Sequence, residues 1–228
     1  MTEFFISRRK LFAGSAATAA ALALPGCATL PGFSFTDAIR RMLLLSSERA
    51  FARMTQDGGF WDQQVARVGF GEMLGARGNV LSNILTSALF KSRLEDALAD
   101  IAIEGSARAA PIVADTVRTI GFANAVALVR GGPSAATSFL RGEMGGELID
   151  VLVPEIGDAL RVARDPLVGQ ALSALTGVDI PQVANIFARE VDDTIWNEIS
   201  REEGSIRADP GATNDPLIIG VFGAGAAL

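Results

Sequence analysis

The 228-residue chain contains no histidine, no tyrosine and a single cysteine. The missing imidazole excludes Ser-His and Cys-His dyads and every His-ligated metal site. One thiol excludes an internal disulfide and a thiolate metal cluster. Basic residues are also scarce, with 20 Lys and Arg against 26 Asp and Glu and a net charge of −6. A nucleic-acid binder needs a clustered basic footprint, so that class is excluded. The chain also lacks a run of roughly 20 apolar residues, the length a transmembrane helix requires. What is present is 49% hydrophobic residues and a mean hydropathy of +0.32. That composition is enough to bury one sizeable core, so a single domain is expected.

Residues 1–26 read as an address and not as fold. Ser7-Arg8-Arg9-Lys10-Leu11-Phe12 is close to the twin-arginine export signature, and Leu11 to Leu24 is an Ala-rich apolar stretch of fourteen residues. It ends in Leu24-Pro25-Gly26-Cys27, which resembles the bacterial lipobox, whose Cys is acylated and becomes the first residue of the mature chain. This assigns the lone Cys27 a role as lipid attachment point. Removing residues 1–26 leaves 202 residues, 17 basic and 25 acidic, for a net charge of −8. Anionic headgroups repel such a surface, so the acyl chains and not side-chain charge are expected to hold the protein to the membrane. Ala28 stands where an Asp resembles an inner-membrane retention signal, which points to the outer membrane, facing the periplasm. Residues 27–35, rich in small residues with Pro31 and Gly32, are expected to form a tether.

From residue 36 to 228 the periodicity predicts an all-α multi-helix bundle. Thr36 is the expected N-cap of a helix running to about Met54, with Ile39, Met42, Leu43, Ala50 and Met54 on its apolar face and Asp57-Gly58-Gly59 ending it. Phe60 to Asn79 is Gly-dense and is expected to be loop with at most one short helix. A helix follows from Val80 to about Ile103, and Pro111 is expected to start another, with Ile112, Val113, Thr116, Val117 and Ile120 as its stripe. Phe122–Val129 is a short helix ended by Gly131-Gly132, and Pro133 opens the next, with Ser134 satisfying its free N–H groups. In the stretch Leu148–Leu160, Pro154 either kinks or restarts the helix. The last helix is expected from Pro181 to about Ile206, and Leu217–Phe222 is expected to pack back onto the bundle. No segment alternates as a half-buried strand does.

Gly131-Gly132-Pro133-Ser134-Ala135-Ala136-Thr137-Ser138-Phe139-Leu140-Arg141 fits a G-G-x-x-A-A-T-x-[YF]-[FL]-R block. Glu202-Glu203, Ile206-Arg207 and Asp209-Pro210, followed by Val221-Phe222-Gly223, fit an E-E-x-x-I-R-x-[DN]-P…V-F-G block. With these blocks the chain resembles a bacterial exported, lipoprotein-type family catalogued as a domain of unknown function. Asp57-Gly58-Gly59-Phe60 and Leu148 to Ile156 echo it more weakly. The chain departs from the family in having Glu104-Gly105-Ser106-Ala107-Arg108 where relatives commonly carry Asn-Arg-Ala-Ala-Glu. The resemblance implies a helical fold and an exported location, and no reaction.

The densest charge group is Glu202-Glu203 with Arg207. Adjacent carboxylates on a helix point about 100° apart and cannot flank a substrate alone, whereas Glu203 and Arg207 have the spacing of an ordinary i,i+4 pair. Thr137 and Ser138 lack a partner base, since Lys91 is the only lysine left after residue 26 and lies four residues from Ser87, not three. Arg130 and Arg141 are expected to pair with Asp150 or Glu147. Gly69-Phe70-Gly71 with Gly75 misses the dinucleotide spacing by one residue. Asp192, Asp193 and Glu198 on a regular helix do not make a hard-cation loop, so no metal and no cofactor is expected.

The leading reading is a non-enzymatic, acyl-anchored envelope protein that binds a partner protein or an apolar ligand. Phe60, Trp61, Thr137, Phe139, Arg141, Glu202, Glu203 and Arg207 are its candidate surface. Alternatives are a ligand-free structural or assembly module, including a homo-oligomer, and a hydrolase using Glu202, Glu203, Arg207 and Arg141. The last requires those four to converge in one concave site.

Overall fold

A computed structural model describes residues 34–56, 59–68, 88–161 and 180–223. Several expectations fall outside these residues: the signal, Cys27 and most of the tether, Asp57-Gly58, the Gly-dense stretch from Gly69 and the helical turns from Val80. The described residues are all-α, with no strand among them.

α1 (Phe35–Met54) begins one turn before the expected apolar stripe. Ser34, not Thr36, is its N-cap, with Oγ accepting from the Asp37 N–H at 3.2 Å. The stripe itself is as read, with Ala38, Ile39, Met42, Leu43, Ala50 and Met54 fully buried. Ser46 and Ser47 lie on the same face, and their hydroxyls donate to the carbonyls of Met42 and Leu43, so burial leaves no unmet donor. α2 (Phe60–Val68) is the short helix allowed for in the Gly-dense region.

α3 (Ala88–Thr119) corrects the expected break at Pro111, because the helix passes through that residue without restarting. Proline removes one N–H and frees the carbonyl four residues earlier, here that of Ala107. Both Pro111 and Ala107 are exposed, so the freed carbonyl faces water and the break costs little. Pro154 is likewise exposed, inside the continuous α6 (Glu147–Arg161), where Leu148, Leu152, Ile156 and Leu160 form a buried stripe at every fourth residue. Burying each of these side chains contributes about 1.5–3 kcal/mol.

Between them lie α4 (Ala125–Val129) and α5 (Ala135–Met144), the latter starting two residues after Pro133. α7 (Ile180–Ala208) follows. A 3₁₀ turn (Pro210–Thr213), the single turn α8 (Pro216–Ile218) and a π-turn (Ile219–Gly223) complete the order. α7 packs along α6 and α1, and α3 closes the other side by packing on the same two helices. α2 lies on α3, and α4 and α5 bridge α1 to α7. The C-terminal apolar run does fold back, with Ile218, Val221 and Phe222 buried in the shared core.

Candidate functional site

Glu203 is fully buried at 0% exposure, so the i,i+4 pair it forms with Arg207 lies in the interior and not on a solvated face. Its carboxylate receives four hydrogen bonds. Oε1 accepts from the Ala136 N–H at 3.0 Å and Arg207 Nε at 2.8 Å, while Oε2 accepts from the Thr137 N–H at 2.7 Å and the Thr137 hydroxyl at 2.6 Å. The carboxylate therefore caps the N-terminus of α5, a place where negative charge is favoured by the exposed N–H groups and the helix dipole. Ser134, the expected cap, occupies the N-cap position but makes no side-chain capping bond.

Arg207, 11% exposed, extends the knot in the opposite direction. Its two terminal nitrogens donate to the carbonyls of Leu128 and Val129 at 2.8 and 2.9 Å, capping the C-terminus of α4, and its guanidinium lies 5.0 Å from the Phe222 ring centre. Arg40 repeats the device at the end of α3, donating to the carbonyls of Val117 and Ile120 and standing 5.6 Å from the Phe122 ring.

Two further charge groups lie along α7. Arg141 donates to Asp192 at 2.9 Å and also pairs with Asp193, so its partners are on α7 and not Asp150 or Glu147 as expected. Asp192 is 3% exposed and also accepts from the Trp196 indole N–H at 2.9 Å. Burial pushes its carboxyl above the ordinary range despite the opposing effect of Arg141 and Trp196, with Asp193 adding like charge. Glu202 belongs to a different group: with Glu198 it pairs with Arg53 of α1 and with Arg201. Burial, with help from the Glu202 charge, raises Glu198 as well. Glu202, Glu203, Arg207 and Arg141 thus fall into three separate groups and do not converge on one concave site.

The aromatic candidates are mostly interior. Trp61 is 3% exposed and not a surface residue; its indole N–H donates to Ser106 Oγ at 3.1 Å, and Phe60 meets it edge-on at 5.3 Å between centroids. Phe139 is partly buried and packs against Phe122 at 5.8 Å, and Thr137 is 1% exposed. No group of three metal-ligating side chains occurs among the described residues, and no described helix is long and apolar enough to cross a membrane.

One concave feature escaped the reading of the sequence. Trp61, Gln64, Val65 and Arg67 of α2 and Phe187, Glu190 and Thr194 of α7 line a cleft of about 300 Å³. Its signal in the sequence is the pair of spacings 61/64/65 and 187/190/194, each a single helical face. That signal is not specific, because nothing in one sequence says which two faces oppose each other.

The two blocks singled out in the sequence are now seen to be bonding partners, with Thr137 and Ala136 of the first held by Glu203 of the second. The family model described as "Protein of unknown function (DUF4197)" matches residues 29–223. The chain belongs to the DUF4197 family. No curated protein and no solved structure matches this DUF4197 chain.

Proposed function

We propose that this DUF4197 chain is an acyl-anchored protein of the bacterial envelope whose helical domain binds a partner or an apolar ligand and catalyses no reaction. Cys27 carries the anchor, export follows the twin-arginine-like signal, and the outer membrane, on its periplasmic side, is the destination. The observation that carries the binding role is the commitment of the reactive-looking groups. Glu203 and Arg207 spend their hydrogen bonds on helix ends and on each other, and Arg141 is paired with α7. The α2/α7 cleft, by contrast, is concave, and its polar lining side chains Gln64, Arg67, Glu190 and Thr194 bond to no described group.

Native mass spectrometry of the full chain purified from bacterial membranes tests the reading. The expected particle begins at an acylated Cys27 and retains a small apolar molecule or a protein partner. A chain still carrying residues 1–26, or an acylated chain that holds nothing, would sink the corresponding half of the proposal.

A further inference from the structure

The end of the domain at which α1 begins gathers apolar side chains that the core does not cover. Phe35 lies one turn before Ile39, on the face of the buried Ala38, Ile39 and Met42, yet at the helix tip it is 44% exposed. Val126 of α4 and Ile219 of the π-turn are also exposed, and the contacts of Arg40 and Arg41 hold both near the start of α1. Arg40 donates to the Val117 and Ile120 carbonyls and stands over the ring of Phe122, four residues before Val126. Arg41 pairs with Asp215, whose carbonyl accepts from the Ile219 N–H at 2.9 Å. α4 and α8 both pack on α1. Phe35, Val126 and Ile219 are three of the four large apolar side chains that stand exposed among the described residues. The fourth, Leu89, lies about 45 Å along α3 from Thr119, at ~1.5 Å per residue. Single exposed hydrophobics are ordinary, whereas a group gathered at one end marks an interaction surface.

The length of the chain before α1 indicates what that end meets. Phe35 is eight residues after Cys27, a span of at most about 29 Å when fully extended. With an acylated Cys27 in the bilayer, α1 starts within reach of the lipid surface and brings Phe35, Val126 and Ile219 there with it. Charge points the same way. Anionic headgroups repel exposed carboxylates, but the nearby Asp37, Asp115 and Asp215 each carry an arginine partner, in Arg40, Arg118 and Arg41. Arg130, the exposed C-cap of α4 one turn beyond Val126, forms no ion pair with a described residue, so its guanidinium is free for a lipid phosphate. We propose that this end of the domain rests on the bilayer, with Phe35, Val126 and Ile219 among the headgroups and Arg130 on a phosphate. The inference rests on the acyl anchor proposed above and gives the anchored domain an orientation.

The full acylated chain, reconstituted in vesicles of phosphatidylethanolamine and phosphatidylglycerol, tests this with an environment-sensitive thiol dye. Acylation blocks Cys27, the only cysteine, so each of Phe35→Cys, Val126→Cys, Ile219→Cys and the control Leu89→Cys offers one labelling site. All four positions and Arg130 are exposed, so the substitutions leave the core intact. Lipids brominated near the headgroup should quench the dye about twofold or more at the first three positions and leave it unchanged in Leu89→Cys. Adding Arg130→Glu should weaken that quenching, and an intact signal overturns the phosphate contact. Absence of quenching at the three positions, or equal quenching in Leu89→Cys, overturns the orientation. A blue-shifted dye that the brominated lipid does not quench is covered by protein and overturns the lipid assignment. A chain that floats with the vesicles yet shows no quenching keeps the anchor and loses the orientation, whereas dye on Cys27 of the unsubstituted chain overturns both.

Discussion

Replacing Glu203 by Ala removes one carboxylate from four hydrogen bonds and strands groups that cannot reach water. The Ala136 and Thr137 N–H groups lose their cap, which costs about 1 kcal/mol in typical helices. The larger loss is electrostatic, because Arg207 remains 11% exposed with its counter-charge gone. Removing one partner of a buried pair costs about 3–5 kcal/mol, and the two losses share atoms and do not simply add. A total of about 4 kcal/mol lowers Tm by roughly 8–16 °C for a domain of this size. Glu203→Gln should fall between, because its amide keeps one acceptor but turns an N–H₂ toward existing donors. Urea unfolding of Glu203→Ala, Arg207→Met and the double variant measures the coupling directly. The double variant should cost clearly less than the sum of the singles, by about 2 kcal/mol or more. A single-variant cost below about 1 kcal/mol, or a coupling near zero, would refute the claim that this knot holds α4, α5 and α7 together.

Asp192 gives a pH test. Its folded-state pKa is raised, so the folded chain holds a proton at a pH where the unfolded chain has released it. The group therefore adds stability as pH falls through the raised value toward the ordinary carboxylate range near ~3.9, and subtracts it at neutral pH. Asp192→Asn should flatten the change in urea midpoint between pH 7 and about pH 4, the ordinary carboxylate range, whereas an unaltered profile across that range would contradict the burial argument. Asp215 accepts from the Leu217 and Ile218 N–H groups as the cap of α8 and pairs with the exposed Arg41. Asp215→Ala should cost about 1 kcal/mol through the cap, and Arg41→Ala under about 0.5 kcal/mol, with equal costs counting against this division. Gly157→Ala should stabilise by up to ~1 kcal/mol, since its new Cβ meets Ala184 at an ordinary 3.8 Å. Gly105→Ala should not, because its Cβ would stand 3.1 Å from the buried Leu152, and thermal melts showing the same gain at both sites would refute the packing argument.

The helices were legible wherever a buried stripe repeats, as along α1 and α7, because burial and periodicity are the same fact seen twice. Local punctuation was less reliable. Pro111 reads as a helix start from its neighbours alone, yet whether proline breaks a helix depends on which way the freed carbonyl faces, and that is set by α1 and α6 packing on the opposite side of α3. Ser134 reads as a cap for the same local reason. Glu203 lies 67 residues from Ala136, and no short-range pattern announces that a carboxylate from another helix supplies the cap. Trp61 reads as a candidate surface residue because the helical pattern of Phe60–Val68 is short and its partner Ser106 lies 45 residues away.

The same distance effect explains why charge density along the string does not mark a site. Residues such as Glu202, Glu203 and Arg207 look reactive in a string because they are adjacent, but each faces a different neighbour on the folded helix. Glu203 turns inward to α5, Arg207 to α4 and Phe222, and Glu202 toward α1. A carboxylate with four donors has no lone pair directed at a substrate, and a guanidinium with two carbonyls and a carboxylate has few donors left for one. Architecture and binding therefore compete for the same polar atoms, and the residues free to recognise a ligand are those with unspent hydrogen bonds. By that criterion the α2/α7 cleft, with Gln64, Arg67, Glu190 and Thr194 around a buried aromatic floor, outranks every denser charge cluster in the described residues.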